Sequence, residues 1–192
     1  MTWERDGFTS HEGSVGVLLP DGSEPRPAIF DIGSGSSFYE TTDWWVYDGT
    51  LRIPRASRMR GKCSCGWRGE TSYPIDWEEV LRDDPHAYDT SAPREDWAQH
   101  LEDVQARTVP LPADVTDLLD QLRGRLEHLA DDAPLAALRA VHELETIIGA
   151  IGPSAAFLAL REDEIPWDRI AEGLGATEKD ARTRLFRYSH RI

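Results

Sequence analysis

The sequence predicts an α+β protein in which a β-rich first half is followed by an all-helical second half. Short apolar segments separated by turn residues fill the first half, and longer apolar stripes with helical spacing fill the second. The segment TVPLPADV (108–115), which contains two prolines, lies between them. We therefore predict two domains, a β-rich module over residues 1–108 and a helical domain over residues 112–192.

Four short segments of the first half have the composition of β-strands. Each is bounded by Gly, Pro, Asp or Ser, as in Pro20-Asp21-Gly22 and Asp48-Gly49, and such residues favour turns. A small antiparallel sheet is the expected result. The predicted strands are Val15 to Leu19, Ala28 to Ile32, Asp43 to Tyr47 and a segment around Cys63 and Trp67.

Two helices are expected after this sheet, over residues 74–85 and 93–107. In the second, Trp97, His100, Leu101 and Val104 recur at helical spacing and share one face. His100 is therefore expected on the inward face of the helix, beside Trp97.

The second half contains two long apolar stripes. One runs from Val115 to Leu129, and the other begins after Pro134, continues to Ile148 and stops near Gly149 and Gly152. This pattern predicts a helical hairpin. A shorter helix is expected to follow it, from Pro153 to about Arg161.

Composition and charge exclude several classes of protein. A hydrophobic content of 40% is enough to form a globular core, and the net charge of −14 excludes a protein that coats nucleic acid non-specifically. Charges interrupt the longest apolar stretches, and Met1 precedes polar residues, so we expect no membrane-spanning helix, no signal peptide and a cytoplasmic location. Thiols stay reduced there, and a disulfide between cysteines one residue apart would be strained.

Positive charge is concentrated in two parts of the chain. Residues 51–68 carry six Arg or Lys and no Asp or Glu, and residues 165–192 carry six basic against four acidic residues. The first island is either a second contact for nucleic acid or a charged strand edge that resists aggregation.

The second island contains WDRIAEGLGATEKDARTRL (167–185), which has the spacing of a helix-turn-helix. Ala171 is small enough for two helices to cross closely, Gly175 can adopt a positive φ in the turn, and Ala181 and Leu185 are placed to hold the second helix. This stretch resembles the helix-turn-helix of sigma-factor region four and of many actinobacterial regulators, which carry a similar Trp-acid-x-Ile-Ala-x-x-Leu-Gly run. The resemblance places a helix-turn-helix at residues 165–190.

The resemblance implies sequence-specific binding to double-stranded DNA. Glu178, Asp180 and Phe186 depart from the usual reading helix, so completion of a helical bundle and a protein-binding surface remain alternatives. The residues that the resemblance assigns are Thr177 as the helix cap, Lys179, Arg182 and Thr183 in the major groove, and Arg184, Arg187 and Arg191 near phosphates.

The first island contains both cysteines, in RGKCSCGWRG (60–69). Cys63 and Cys65 can point to one metal ion if the turn between them is tight, which Gly61 and Gly66 permit. The neighbouring Arg and Lys side chains favour thiolates. Two inert buried thiols and a redox pair are the alternatives to a metal site.

A structural zinc ion takes four nitrogen or sulfur ligands, so two thiolates need partners. The nearest candidates are His86, in a proline-containing loop, and His100. The run Cys-x-Cys-Gly-Trp, followed by Trp-x-x-His, also resembles a pattern of actinobacterial proteins for which a zinc-ribbon-like fold is expected. The predicted metal ligands are Cys63, Cys65, His100 and His86.

No catalytic constellation is found in the sequence, because the carboxylates occur in solvated runs and no nucleophile lies in a recognisable elbow. We therefore predict a non-enzymatic transcriptional regulator that binds specific DNA sequences through its C-terminal helices. The alternative is an acidic adaptor whose helix-turn-helix fold docks onto a protein partner, for example in the transcription machinery. A thiol-dependent enzyme is a third possibility.

Overall fold

A computed structural model describes residues 2–31, 38–82, 84–161 and 165–189, and it confirms the α+β class. The chain divides into two compact units, Met1–Ala106 and Arg107–Ile192. The first contains the strands and two helices, and the second contains helices only among its described residues.

The sheets of the first unit are antiparallel. The strands are β1 (Thr2–Trp3), β2 (Gly13–Leu18), β3 (Ala28–Asp31), β4 (Phe38–Thr41), β5 (Arg58–Cys63) and β6 (Tyr73–Pro74). Four of them form one sheet in the order β1-β2-β5-β6, and β3 pairs with β4. The register of β2 on β5 places Gly13 opposite Cys63 and Leu18 opposite Arg58.

The strand β5 separates its apolar and basic residues by alternation. Met59, Gly61 and Cys63 are buried, whereas the intervening basic residues lie on the opposite face of the pleat. On that face Arg60 donates to Glu24 at 2.6 Å. Because β5 lies between β2 and β6, the basic island is not a strand edge.

The predicted strand from Asp43 to Tyr47 is wrong. These residues form a single turn of 3₁₀-helix, Trp44–Val46. Trp44 and Tyr47 are both buried, at 3% and 1% exposure. A spacing of three residues places two side chains on the same face of a 3₁₀-helix but on opposite faces of a strand, so burial of both favours the helix.

The helices of the first unit are α1 (Trp77–Arg82) and α2 (Ser91–Arg107). The first begins later than predicted because Asp76 caps it, accepting hydrogen bonds from the backbone N–H groups of Glu78 and Glu79 at 3.0 and 3.2 Å. As predicted, Trp97 and Leu101 of α2 are buried.

Two glycines allow α2 to approach the sheet closely. A Cβ atom at Gly13 would lie 2.5 Å from the Trp97 ring, and one at Gly61 would lie 2.6 Å from the carbonyl oxygen of Pro93. The indole Nε1 of Trp97 donates to the carbonyl oxygen of His11 at 3.2 Å. The helix therefore packs on strands without side chains at the two points of closest contact.

The second unit contains α3 (Ala113–Asp132), α4 (Pro134–Arg161), α5 (Trp167–Gly173) and α6 (Glu178–Ser189). As expected for a hairpin, α3 and α4 pack against each other, with Ala133 as the connection. Their apolar stripes are only partly covered within this unit. Leu118 of α3 and Leu135 of α4 are 64% and 82% exposed.

The helix α4 does not stop near Gly149, and the separate helix predicted from Pro153 is part of it. Packing on both sides of Pro153 offsets the hydrogen bond that proline removes. Ala156 is buried, and a Cβ atom at Gly152 would lie 3.0 Å from the Tyr188 ring of α6.

Because it continues, α4 is long and apolar enough to cross a membrane by length and composition alone, with a mean hydropathy of 1.3 over its most apolar window. The expectation that no helix has this length and composition is therefore corrected. The stretch without charged side chains, 146–160, is shorter than the roughly 20 apolar residues that a membrane-spanning helix needs.

We expect the substitution Gly61→Ala to lower the free energy of unfolding by about 1–3 kcal/mol, because the added methyl group meets a backbone oxygen that cannot turn aside. Gly16→Ala is the matched control in the paired strand, where a Cβ atom meets only the flexible side chain of Lys62, at 3.3 Å. Urea unfolding followed by tryptophan fluorescence measures both. Equal effects of the two substitutions would contradict the close contact.

Candidate metal centre

Four side chains of the first unit bring together two nitrogen and two sulfur atoms. They are His11, Cys63, Cys65 and His100, and their ligand atoms all lie within 4.8 Å of one another. The Cys63 Sγ lies 3.7 Å from the His11 Nδ1, and the Cys65 Sγ lies 3.4 Å from the His100 Nε2. These residues can hold a metal ion.

A tight turn after β5 brings the two sulfurs to the same side. The N–H of Gly66 donates to the carbonyl oxygen of Cys63 at 3.0 Å, and the N–H of Cys63 donates to that of Trp67 at 3.0 Å. Gly66 has a φ of 99°, which glycine adopts without strain. Gly66 therefore permits the turn as predicted, whereas Gly61 lies in the strand.

Ser64, between the two cysteines, fastens the loop that carries His11. Its hydroxyl donates to the carbonyl oxygen of Ser10 at 3.0 Å and accepts from the N–H of Glu12 at 2.9 Å. Its own N–H donates to the carbonyl oxygen of Glu12 at 2.8 Å. Three hydrogen bonds thus hold the two neighbours of His11 to the cysteine turn.

The helix α2 and the turn together orient His100. The imidazole stacks on the Trp67 ring with a centroid separation of 4.5 Å and an interplanar angle of 8°. Stacking on a neighbouring ring restricts the rotation of the imidazole and directs its Nε2 toward Cys65. Trp67 therefore acts through the position of His100.

His11 is a buried imidazole for which the described residues provide no oxygen partner. Its side chain is in a residue of 5% exposure, its Nε2 has no hydrogen-bond partner there, and its Nδ1 faces the sulfur of Cys63. Burying a polar nitrogen without a partner is costly. A metal ion bound to this imidazole would remove part of that cost.

The two thiols have pKa values shifted in opposite directions. A hydrogen bond with the Cys65 thiol lowers the pKa of Cys63, and His100 and His11 lower it further against the effect of burial. The same bond, with burial, raises the pKa of Cys65. One sulfur is therefore a thiolate at neutral pH, the form that binds metal ions.

The cationic side chains expected to favour this thiolate are engaged elsewhere. Arg60 and Arg68 both bind Glu24, at 2.6 and 2.8 Å. The Nζ of Lys62 donates to the hydroxyl of Thr42 at 3.1 Å. Hydrogen bonds from sulfur and imidazole groups, rather than these cations, are the causes of the low pKa of Cys63.

The structure brings together three of the four predicted ligands and replaces the fourth. His86 lies on a short 3₁₀-helix, where its ring centroid is 4.7 Å from that of Trp45, and it is not part of the cluster. His11 takes its place. The sequence signal for His11 is its position two residues before Gly13, the residue that β2 pairs with Cys63.

At the predicted DNA-binding surface, the acidic residues that begin α6 have local partners. The hydroxyl of Thr177 accepts from the N–H of Asp180 at 3.2 Å and bonds to its carboxylate, so Thr177 caps α6 as predicted. Glu178 binds Arg182 at 2.6 Å, and the guanidinium of Arg182 lies 4.3 Å from the centroid of the Trp167 ring. Both acids thus support the start of the helix.

The other predicted DNA-binding residues lie on two different faces of α6. Lys179, Thr183 and Arg187 are exposed, as is Phe186 at 65%. Arg184 is half-buried and lines a cavity of the second unit. Arg191 lies outside the described residues.

Comparison with known proteins gives no assignment. No protein-family model, curated protein or solved structure matches the chain. The function is therefore inferred from the geometry and chemistry of its own side chains.

We expect Ser64→Ala to lower the free energy of unfolding by about 1–2 kcal/mol, because two hydrogen bonds of its hydroxyl are lost. Ser10→Ala is the control, since that residue contributes its backbone carbonyl to the contact. Thermal unfolding followed by tryptophan fluorescence tests both variants. A Ser64→Ala protein as stable as Ser10→Ala would show that the hydroxyl does not hold the loop.

Proposed function

We propose that this chain is a zinc-stabilised, DNA-binding regulatory protein. Its first unit binds a structural zinc ion, and α5 and α6 act as a helix-turn-helix on double-stranded DNA. The observation that carries the zinc assignment is the complete set of two sulfur and two nitrogen ligand atoms. The observation that carries the DNA assignment is the cationic strip along the exposed face of α6.

The geometry of the cluster fits a tetrahedral zinc ion. With Zn–S distances of about 2.3 Å and Zn–N distances of about 2.0–2.1 Å, a tetrahedron separates a sulfur from a nitrogen ligand by about 3.5 Å. The two observed sulfur–nitrogen distances, 3.4 and 3.7 Å, lie close to this value. A tetrahedral set of two sulfurs and two nitrogens favours zinc over the hard cations that bind oxygen.

A structural role follows from the number of ligands. Four protein side chains fill a tetrahedron and leave no position for water or substrate, which is the arrangement of structural zinc sites. The ion would connect three parts of the unit: the loop before β2, the turn after β5, and α2. Because zinc requires thiolates, a reducing compartment such as the cytoplasm is the proposed location.

The DNA-binding proposal is supported by the distribution of charge around α6. Arg182, Phe186, Lys179, Thr183 and Arg187 fall within an arc of about 140° of the helix, and all five are exposed. The opposite face carries the buried Ala181 and Leu185. Three cations on one exposed strip would contact phosphates and base edges of a duplex.

The turn between the two helices also supports this proposal. Gly175 has a φ of 59°, and the N–H of Ala176 donates to the carbonyl oxygen of Ala171 at 3.0 Å. A positive φ at glycine ends α5 and redirects the chain into α6. Within the described residues, the side chains of Lys179 and Arg187 have no ion pair, so they are available to an anionic partner.

A second function, docking onto a protein partner of the transcription machinery, is favoured by the exposed aromatic side chain on the same strip. Phe186 is 65% exposed between two cations, Arg182 and Arg187. Apolar anchors surrounded by charged residues are typical of protein interfaces. This function and DNA binding use the same surface and differ in their partner.

We expect the purified protein to contain one zinc ion per chain, and we expect Cys63→Ser and His11→Ala to lose it. Loss of the ion should lower the unfolding midpoint of the first unit by at least about 10 °C, since each kcal/mol moves the midpoint of a domain of this size by about 4–8 °C. Elemental analysis gives the metal content. Tryptophan fluorescence reports on this unit, which contains every tryptophan except Trp167.

His86→Ala is the matched control for the zinc experiment, because this histidine lies outside the cluster. It should retain the metal and melt like the unsubstituted protein. A protein that binds no zinc and melts identically with and without a chelator would rule out the zinc site.

We expect the double substitution Lys179→Gln and Arg187→Gln to weaken binding to duplex DNA by about tenfold or more and to reduce the dependence on log salt concentration by about two ions. The two residues provide phosphate contacts in the proposed complex. Fluorescence anisotropy of a mixed-sequence duplex pool across a salt series measures both quantities.

The control is Arg123→Gln with Arg125→Gln on α3, which removes the same charge from another exposed surface. It should leave DNA binding unchanged. Equal losses for the two pairs would indicate only a general effect of net charge. No DNA binding, with a stable complex to a transcription protein that is lost in Phe186→Ala, would replace the DNA proposal by the docking function.

A further inference from the structure

The second unit contains a cavity of about 520 Å³ that neither the zinc site nor the DNA-binding strip uses. Its wall is formed by the segment before α3 and by α4, α5 and α6. The volume lies within the range of about 300–1,000 Å³ that is typical of small-molecule sites. The lining is mainly apolar, with Val109, Leu111, Ile165, Ile170, Leu174 and Leu185 among its residues.

The space exists because one stripe of α4 is made of small residues. Gly152, Ala155, Ala156 and Ala159 recur at intervals of three and four and all line the cavity. Larger side chains at these positions would fill it. The stripe leaves room for an apolar ligand next to the helix backbone.

The wall opposite α4 is fastened to α5. The N–H of Val109 donates to the carbonyl oxygen of Gly173 at 2.9 Å. A Cβ atom at Gly173 would lie 2.9 Å from the Cγ2 of Val109, so only glycine allows this close approach. The segment 109–111 is thus held in place as part of the cavity.

Arg184 gives the cavity a positive charge. The residue is half-buried, and within the described part of the chain its guanidinium has neither a hydrogen bond nor an ion pair. The other lining arginine, Arg169, binds Glu172 at 2.7 Å. Because arginine stays charged at all physiological pH values, Arg184 at an apolar wall favours an anionic ligand.

We propose that this cavity binds a small carboxylic acid with an apolar chain or ring, whose carboxylate pairs with Arg184 and whose apolar part lies along the small residues of α4. The planar guanidinium offers two parallel N–H groups, which match the two oxygens of a carboxylate. The walls offer few further polar groups, so a sugar or a nucleotide would lose hydrogen bonds on entering. This proposal does not depend on DNA binding.

The test is isothermal titration calorimetry of the full chain with decanoate and with decanol, which have the same apolar chain and differ in charge. We expect one decanoate per chain, bound at least about tenfold more tightly than decanol, because a charge-assisted hydrogen bond is lost in the alcohol. Arg184→Gln should weaken decanoate binding about tenfold and leave decanol binding unchanged. Arg187→Gln, on the exposed face of the same helix, is the matched control and should have no effect.

A second variant keeps the test decisive if Arg184→Gln alters the fold. Ala155→Phe, at an exposed cavity-lining position of α4, should fill the space and abolish binding of both ligands while preserving the helical circular dichroism spectrum. Absence of decanoate binding, equal binding of decanoate and decanol, or equal losses in Arg184→Gln and Arg187→Gln would each overturn the proposal.

Discussion

The metal centre depends on how closely α2 approaches the sheet. His100 is supplied by this helix, and its distance from the cysteines is set by the packing of Trp97 and Pro93 on Gly13 and Gly61. Glycine is needed at both strand positions because any side chain would occupy the space of the helix. The same packing buries Trp3, Trp97 and Leu101, so the core of this unit and its ligand geometry share one contact.

The sequence predicts the part of the site that depends on local patterns. The spacing of Cys63 and Cys65, the turn at Gly66 and the inward face of α2 are local features, and they identify three of the four clustered side chains. His11 depends on the pairing of β2 with β5 and on a side chain–backbone contact at Ser64, which are not local in sequence. His86 is closer to the cysteines along the chain than His100, but the short helix that carries it packs on Trp45.

In the second half, helical periodicity predicts the existence of the helices better than their ends. Pro153 and its neighbouring glycines are typical of a helix end, yet α4 continues because Tyr188 packs against Gly152 from another helix. The acids at the start of α6 illustrate the opposite case. Asp180 and Glu178, which depart from the usual pattern of a reading helix, are accounted for by the cap at Thr177 and the pair with Arg182. Local contacts therefore explain a composition that first argued against a DNA-binding role.

The bonds made by Ser64 have a consequence for the thermodynamics of metal uptake. They order the His11 loop through contacts within the protein, so the conformational entropy of that loop is lost when the unit folds and not when an ion arrives. A preorganised set of ligands retains more of its intrinsic affinity than a set that must be ordered on binding. Cys65 and His100 are also half-buried rather than enclosed, which leaves one side of this ordered site open to solvent. An ion can therefore enter and leave without unfolding of the sheet.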